Sequence, residues 1–258
     1  MEGTVNQRDP TSELSAYLIH EILNLLPTRD AARTSVLSKA WKTAWDSFPY
    51  LDFDQENFPD YNGFSLPDDI DSNNFIEFID STMEKLQNRD LKIFKFRLFI
   101  DLKDVKKASP FFDQWMSFVS MSTITELDFQ LHYPLVQSYF LPKSIYGVMS
   151  ITVLKLRGVK LQPCGCEEIK FSNLKVLCLD SVYLEDQTLL NLISSCPLIN
   201  ELRIDKCCGL TNVKNDIHMP SLLTFDLADQ DGYLIWEFKT KKCENWEFKT
   251  KKCENVKM

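Results

Sequence analysis

Histidine, cysteine and serine are the side chains here that could carry chemistry. The histidines are His20, His132 and His218. The cysteines cluster twice, as Cys164-Gly165-Cys166 and Cys207-Cys208. A structural zinc site needs four ligands, usually from paired CxxC-type spacings. Neither cluster has that spacing, and the two lie far apart in the sequence. The expected reading is therefore reduced thiols, most of them small core residues, with no metal. A serine nucleophile needs a histidine base in reach. Ser35 and Ser38 have none nearby in sequence and read as helix surface. His20 falls on the polar edge of a helix and is expected to be exposed, and His132 and His218 are expected in loops after strands. Glycine is scarce, at 7 residues, and no GxGxxG or GxxxxGK[ST] string occurs, so phosphate-cradling loops are not expected. The chain reads as a non-enzyme with no cofactor.

The charge balance narrows the partners. The 258 residues carry a formal net charge of −8, and residues 51–90 alone carry −9. An acidic surface repels nucleic acid and anionic lipid, so neither is expected as a partner. The N-terminus has no apolar signal-peptide core, and no apolar run is long enough to span a bilayer. The nucleus, the cytoplasm or both are the expected location.

The elements that would position any functional side chain fall into two halves. After a flexible tail at 1–11, residues 12–50 read as three short helices. Leu14, Leu18, Ile19, Ile22, Leu23, Leu25 and Leu26 recur at intervals of three and four and predict one broad apolar helical stripe over 13–26. Pro27 ends that helix, and Thr28 is expected to cap a second one over about 29–38. Trp41, Ala44 and Trp45 mark a third. Part of this apolar surface is expected to stay free for a partner. Residues 51–90 read as an acidic linker followed by a helix over 74–86. An aromatic helix is expected at 110–119.

The second half repeats. The pattern apolar-x-x-apolar-x-apolar begins at Leu91, Ile124, Ile151, Leu174, Ile199 and Leu222, at intervals of 33, 27, 23, 25 and 23 residues. Repeats of 20–29 residues with this pattern predict short parallel strands stacked into a solenoid over 91–230. Intervening polar positions such as Lys155, Cys178 and Arg203 are expected on the outer face of the strand row. Residues 189–193 are expected to form a helical return.

The segment LPTRDAARTSVLSKAW, Leu26 to Trp41, resembles the F-box of plant F-box/leucine-rich-repeat proteins of the FBD type. LISSCPLINELRIDKCCGL, Leu192 to Leu210, is similar to their repeats. The resemblance implies an α+β chain: a three-helix F-box followed by an α/β leucine-rich-repeat solenoid. It further implies the substrate-recognition subunit of an SCF-type cullin–RING ubiquitin ligase. The F-box would dock on a Skp-family adaptor and, through it, meet the cullin and RING subunits, while the repeats recruit a target protein. The adaptor-facing residues implied are Leu14, Ile22, Leu26, Pro27, Val36, Leu37 and Trp41. The family usually opens its first helix with Leu-Pro-Asp; here Leu14-Ser15-Ala16 stands there, and Ser15 can still cap a helix. The second reading is a stand-alone repeat protein serving as a scaffold, with a decayed F-box. Many members continue into an FBD domain, and this chain is expected to lack one. In the tail at 231–258, WEFKTKKCEN occurs twice in tandem, from Trp236 and from Trp246. That stretch is expected to be a poor solenoid cap and partly disordered.

Overall fold

A computed structural model describes residues 14–58, 69–87, 92–132, 139–214, 219, 221–228 and 235–237. The first helix, α1 (Ala16–Asn24), starts where the Ser15 hydroxyl accepts the Leu18 N–H at 3.3 Å. It is shorter than the apolar stripe suggests. Pro27 occupies the N-cap position of α2 (Thr28–Thr34) without a side-chain cap. Thr28 is not that cap: it is buried, and its hydroxyl accepts the Asp52 N–H at 2.5 Å. The third helix, α3 (Lys39–Asp46), begins on Ser38, whose hydroxyl accepts the Trp41 N–H at 3.4 Å. Ser38 is thus a helix cap rather than helix surface. Ile19, Leu23, Ala31, Trp41, Ala44 and Phe48 close a small core between the three helices.

The chain then runs β1 (Tyr50–Asp54), α4 (Asp69–Gln87), β2 (Lys95–Asp101), α5 (Val105–Met121), β3 (Glu126–His132) and β4 (Tyr139–Phe140). A short 3-10 turn leads to β5 (Val153–Arg157), β6 (Val159–Lys160), β7 (Val176–Asp180), α6 (Asp186–Ser194), β8 (Glu201–Asp205), β9 (Asn212–Lys214), β10 (Thr224–Ala228) and β11 (Ile235–Glu237). β1, β2, β3, β5, β7, β8 and β10 form one parallel sheet in chain order. The polar-apolar alternation along each strand puts one side chain in two into the core. Ile124, Leu127 and Phe129 in one unit, and Ile151, Leu154 and Leu156 in the next, are all buried. Each such burial stabilises by roughly 1.5–3 kcal/mol relative to exposure.

Two departures from the sequence reading concern the start of the sheet. The first repeat is framed on Ile93-x-x-Phe96-x-Leu98, not on Leu91: Phe94 is exposed, and Phe96 pairs with Leu127. Both frames satisfy the same pattern, and only the pairing with β3 separates them. The sheet also begins earlier than expected. Phe48-x-x-Leu51-x-Phe53 is a further copy of the motif, and its strand β1 lies within the segment read as linker. The acidic residues Asp52 and Asp54 are the outward positions of that strand. The helix beyond it starts at Asp69 rather than at 74, and α5 is longer than expected at both ends.

Beyond the C-terminal ends of the central strands the chain turns a corner. Gly158, Ser181 and Lys206 each follow a strand's last residue with φ of 67°, 54° and 50°. The corner leads into a second parallel row, Phe140–Lys160–Tyr183–Cys208. Gly209, at φ 88°, follows; a Cβ there would meet the Leu184 carbonyl oxygen at 2.6 Å. Residues 235–237 of the tail also form a strand, β11, against β9. The rest of the duplicated stretch lies outside the described residues.

Candidate functional site

The F-box helices sort their apolar residues to two sides. Ile19 and Leu23 of α1 point into the small core, so Leu18, Ile22 and Leu25, at i, i+4 and i+7, form an exposed stripe. Leu25 is 83% exposed, and Tyr17, in the first turn of α1, is exposed as well. Val36 and Leu37, in the turn between α2 and α3, are exposed as well, Val36 at 85%. Exposed large apolar side chains of this kind are candidates for burial by a partner.

Of the adaptor-facing residues expected from the resemblance, Ile22, Val36 and Leu37 are on this surface. Leu14, Leu26 and Pro27 are half-buried, and Leu14 and Leu26 pack on the F-box core. Trp41, by contrast, is 5% exposed and belongs to that core. Three short helices enclose little volume, and a tryptophan fills it. Tyr17, Leu18 and Leu25 are exposed too, outside the set that the resemblance implies. Their signal was available, since the helical period places them opposite Ile19 and Leu23.

A second surface is the open face of the parallel sheet, whose polar positions fall into three rows across the strands. The first is Tyr50–Lys95–Glu126–Val153–Val176–Glu201–Thr224. The middle row is Asp52–Arg97–Asp128–Lys155–Cys178–Arg203–Asp226. The third is Asp54–Phe99–Gln130–Arg157–Asp180–Asp205–Ala228. Lys155, Cys178 and Arg203 lie where the repeat pattern put them. The Arg97 guanidinium sits 2.8 Å from Asp52, 3.1 Å from Asp54 and 3.8 Å from Asp128. Burial pushes the Asp128 carboxyl above the usual carboxylate range, while the hydrogen bond from Gln130 and the nearby Lys155 and Arg97 pull it down. Arg203 lies 3.5 Å from both Glu201 and Asp226, and Arg157 lies 3.4 Å from Asp180.

The chemistry-bearing residues are dispersed. Among the described residues no group of three His, Cys, Asp or Glu could hold a metal ion. Cys164 is buried, whereas Cys166 is exposed and its thiol donates to the Asn191 side-chain oxygen Oδ1 at 3.2 Å. His20 is not an exposed edge residue. It is half-buried, and its Nε2 lies 3.2 Å from the Ala44 carbonyl and 3.3 Å from the Ser47 hydroxyl, which ties α1 to α3. His132 is the last residue of β3 rather than a loop residue, with Nδ1 3.3 Å from Asp101. His218 lies outside the described residues. Ser35 is the C-cap residue of α2.

Comparison with known proteins agrees with this arrangement. Residues 12–53 match the F-box domain family, and residues 112–231 match the leucine-rich repeats of the FBD-associated F-box protein At5g56370. The chain is 31% identical over 255 residues to F-box/FBD/LRR-repeat protein At5g56420 of Arabidopsis thaliana, covering 93% of this chain and 56% of that one. It is 36% identical over 200 residues to the FBD-associated F-box protein At5g22730 of the same plant, covering 76% of this chain and 39% of that one. F-box/LRR-repeat protein 13 is 31% identical over 232 residues, covering 86% and 47%. The chain thus spans about half the length of these relatives, or less. No solved structure matches it.

Proposed function

Because the chain belongs to the F-box/leucine-rich-repeat family, we propose that it is the substrate-recognition subunit of an SCF-type cullin–RING ubiquitin ligase. The F-box docks on a Skp-family adaptor and the repeats recruit the protein to be modified. The chain does no covalent chemistry. It raises the effective concentration of a target lysine near the ubiquitin carrier. Nucleus, cytoplasm or both would be its place of work.

The observation that carries this reading is the exposed apolar surface of Leu18, Ile22, Leu25, Val36 and Leu37. Leaving five large apolar side chains in water within 20 residues makes sense if a partner buries them. The test is calorimetry with a co-expressed plant Skp-family adaptor. Binding is expected at or below micromolar Kd. Val36→Asp and Leu25→Asp are each expected to weaken it by roughly 10-fold or more, because each buries a charge in an apolar contact. Trp41→Ala is the wrong probe, since it cuts the F-box core at a cost of roughly 3–5 kcal/mol. A folded chain that ignores the adaptor, or Asp variants that bind as well as the parent, would overturn the reading.

A further inference from the structure

A cavity of about 140 Å³ lies between the F-box and α4, the helix that follows β1. The F-box side contributes Ala32 of α2 and Trp45 of α3, and α4 contributes Phe78, Thr82 and Leu86. Trp45 packs on the F-box core, while Phe78 and Leu86 pack in the sheet core, so the two cores meet around a gap. Thr82 and Leu86 are buried. Ser81 and Lys85, one helical turn apart, also line the cavity and are exposed, which puts its mouth on their side. The Ser81 and Thr82 hydroxyls both donate to the Phe78 carbonyl, at 3.0 and 2.8 Å, so their protons are spent. The Lys85 ammonium has no ion-pair or hydrogen-bond partner among the described residues.

We propose that this gap is a small-molecule site that takes a single six-membered aromatic ring bearing one anionic group. Size selects the ring, since an apolar protein cavity of about 150 Å³ takes up one benzene molecule. A fused bicyclic ring is too large. Trp45 and Phe78 supply aromatic partners for that ring, and the single methyl group of Ala32 leaves the space open on the F-box side. Lys85 selects the charge. At the mouth an anion meets the free ammonium and stays partly hydrated, whereas a cation is repelled. An unfilled apolar gap costs stability in proportion to its volume, and a ring that fills this one touches both cores at once. The bound ring thereby braces the F-box against α4. The site is apart from the exposed stripe of α1 and does not depend on the ligase reading.

The probe is benzoate, titrated into the full chain at low salt and read by calorimetry and by saturation-transfer NMR of the ring protons. A ligand of this size is expected to bind with a Kd of roughly 0.1–1 mM. Acetate has the charge without the ring, benzylamine has the ring with the opposite charge, and 2-naphthoate is too large; all three are expected to bind at least several-fold more weakly. Ala32→Leu fills the cavity and is expected to weaken benzoate about 10-fold or more while the thermal midpoint stays at or above the parent's. Lys85→Gln is expected to weaken benzoate by about threefold, as suits an exposed charge, and to erase its advantage over the neutral benzamide. Benzoate binding that survives in both variants would lie elsewhere and would overturn the proposal. Displacement of benzoate by the adaptor would assign the cavity to a side chain of that partner, and would overturn it too. Should Ala32→Leu fail to fold, the series on the parent chain decides alone: benzoate that binds no better than acetate, or 2-naphthoate that binds as well as benzoate, rules the site out.

Discussion

Cys196 and Cys207 have thiols pushed up to about 12, in both cases mainly by burial. Burial also raises Cys164 and Cys178. A thiol raised in the folded state is held neutral by folding. The stability this contributes is present below the ordinary cysteine range and is lost as pH rises towards 12. At pH 8 a pKa of 12 leaves a thiolate fraction on the order of 10⁻⁴, and the thiolate is what reacts. Among the six described cysteines, brief iodoacetamide treatment at pH 8, mapped by mass spectrometry, is expected to label the exposed Cys166 and Cys208 first. Cys196 and Cys207 should label only on unfolding. Rapid native labelling of Cys196 would contradict its burial. Of the six described cysteines only Cys164 and Cys196 are buried, so the expectation that most would be core residues holds for a minority. The sequence did not say which member of each close pair is exposed, because that depends on which way the chain leaves its strand.

At the scale of elements, caps and registers do the sorting. Ser38 is the only side chain accepting from the first-turn N–H groups of α3 among the described hydrogen bonds. Ser38→Ala is expected to destabilise by about 1 kcal/mol, read as a lower urea midpoint at unchanged slope, with Ser38→Asp restoring most of it. A change within 0.2 kcal/mol would show that the cap is idle. The repeat strands were legible because inward residues alternate and the motif recurs. The frame of the first one was not, because Leu91-x-x-Phe94-x-Phe96 and Ile93-x-x-Phe96-x-Leu98 satisfy the same rule. Pairing Phe96 against Leu127 selects the second.

For the whole molecule, Phe48 is the joint. Its ring lies in the F-box core, while Leu51 and Phe53 of the same motif lie in the sheet core. The Thr28 hydroxyl and the Asp52 N–H clasp the two parts beside it. Arg29 lies over the Phe58 ring, 5.1 Å from its centroid. The F-box is therefore fixed to the first repeat. Phe48→Ala is expected to cost roughly 3–5 kcal/mol. Hydrogen exchange should show protection falling in α1–α3 and in β1–β2 together. Loss confined to α1–α3 would mean that the two parts unfold independently.

The sequence by itself determined the two-part plan, the strand positions of most repeats, the helical F-box and the polar identity of the outward strand positions. Each of these follows from local periodicity, which a chain carries wherever it folds. Only the tertiary structure decided that Trp41 is core rather than surface and that Thr28 reaches across to Asp52. Only it set the β1 strand as the sheet's first member and made Asp180 and Asp205 neighbours. Those facts depend on which segments meet, and the meeting is governed by packing and strand register between residues tens of positions apart.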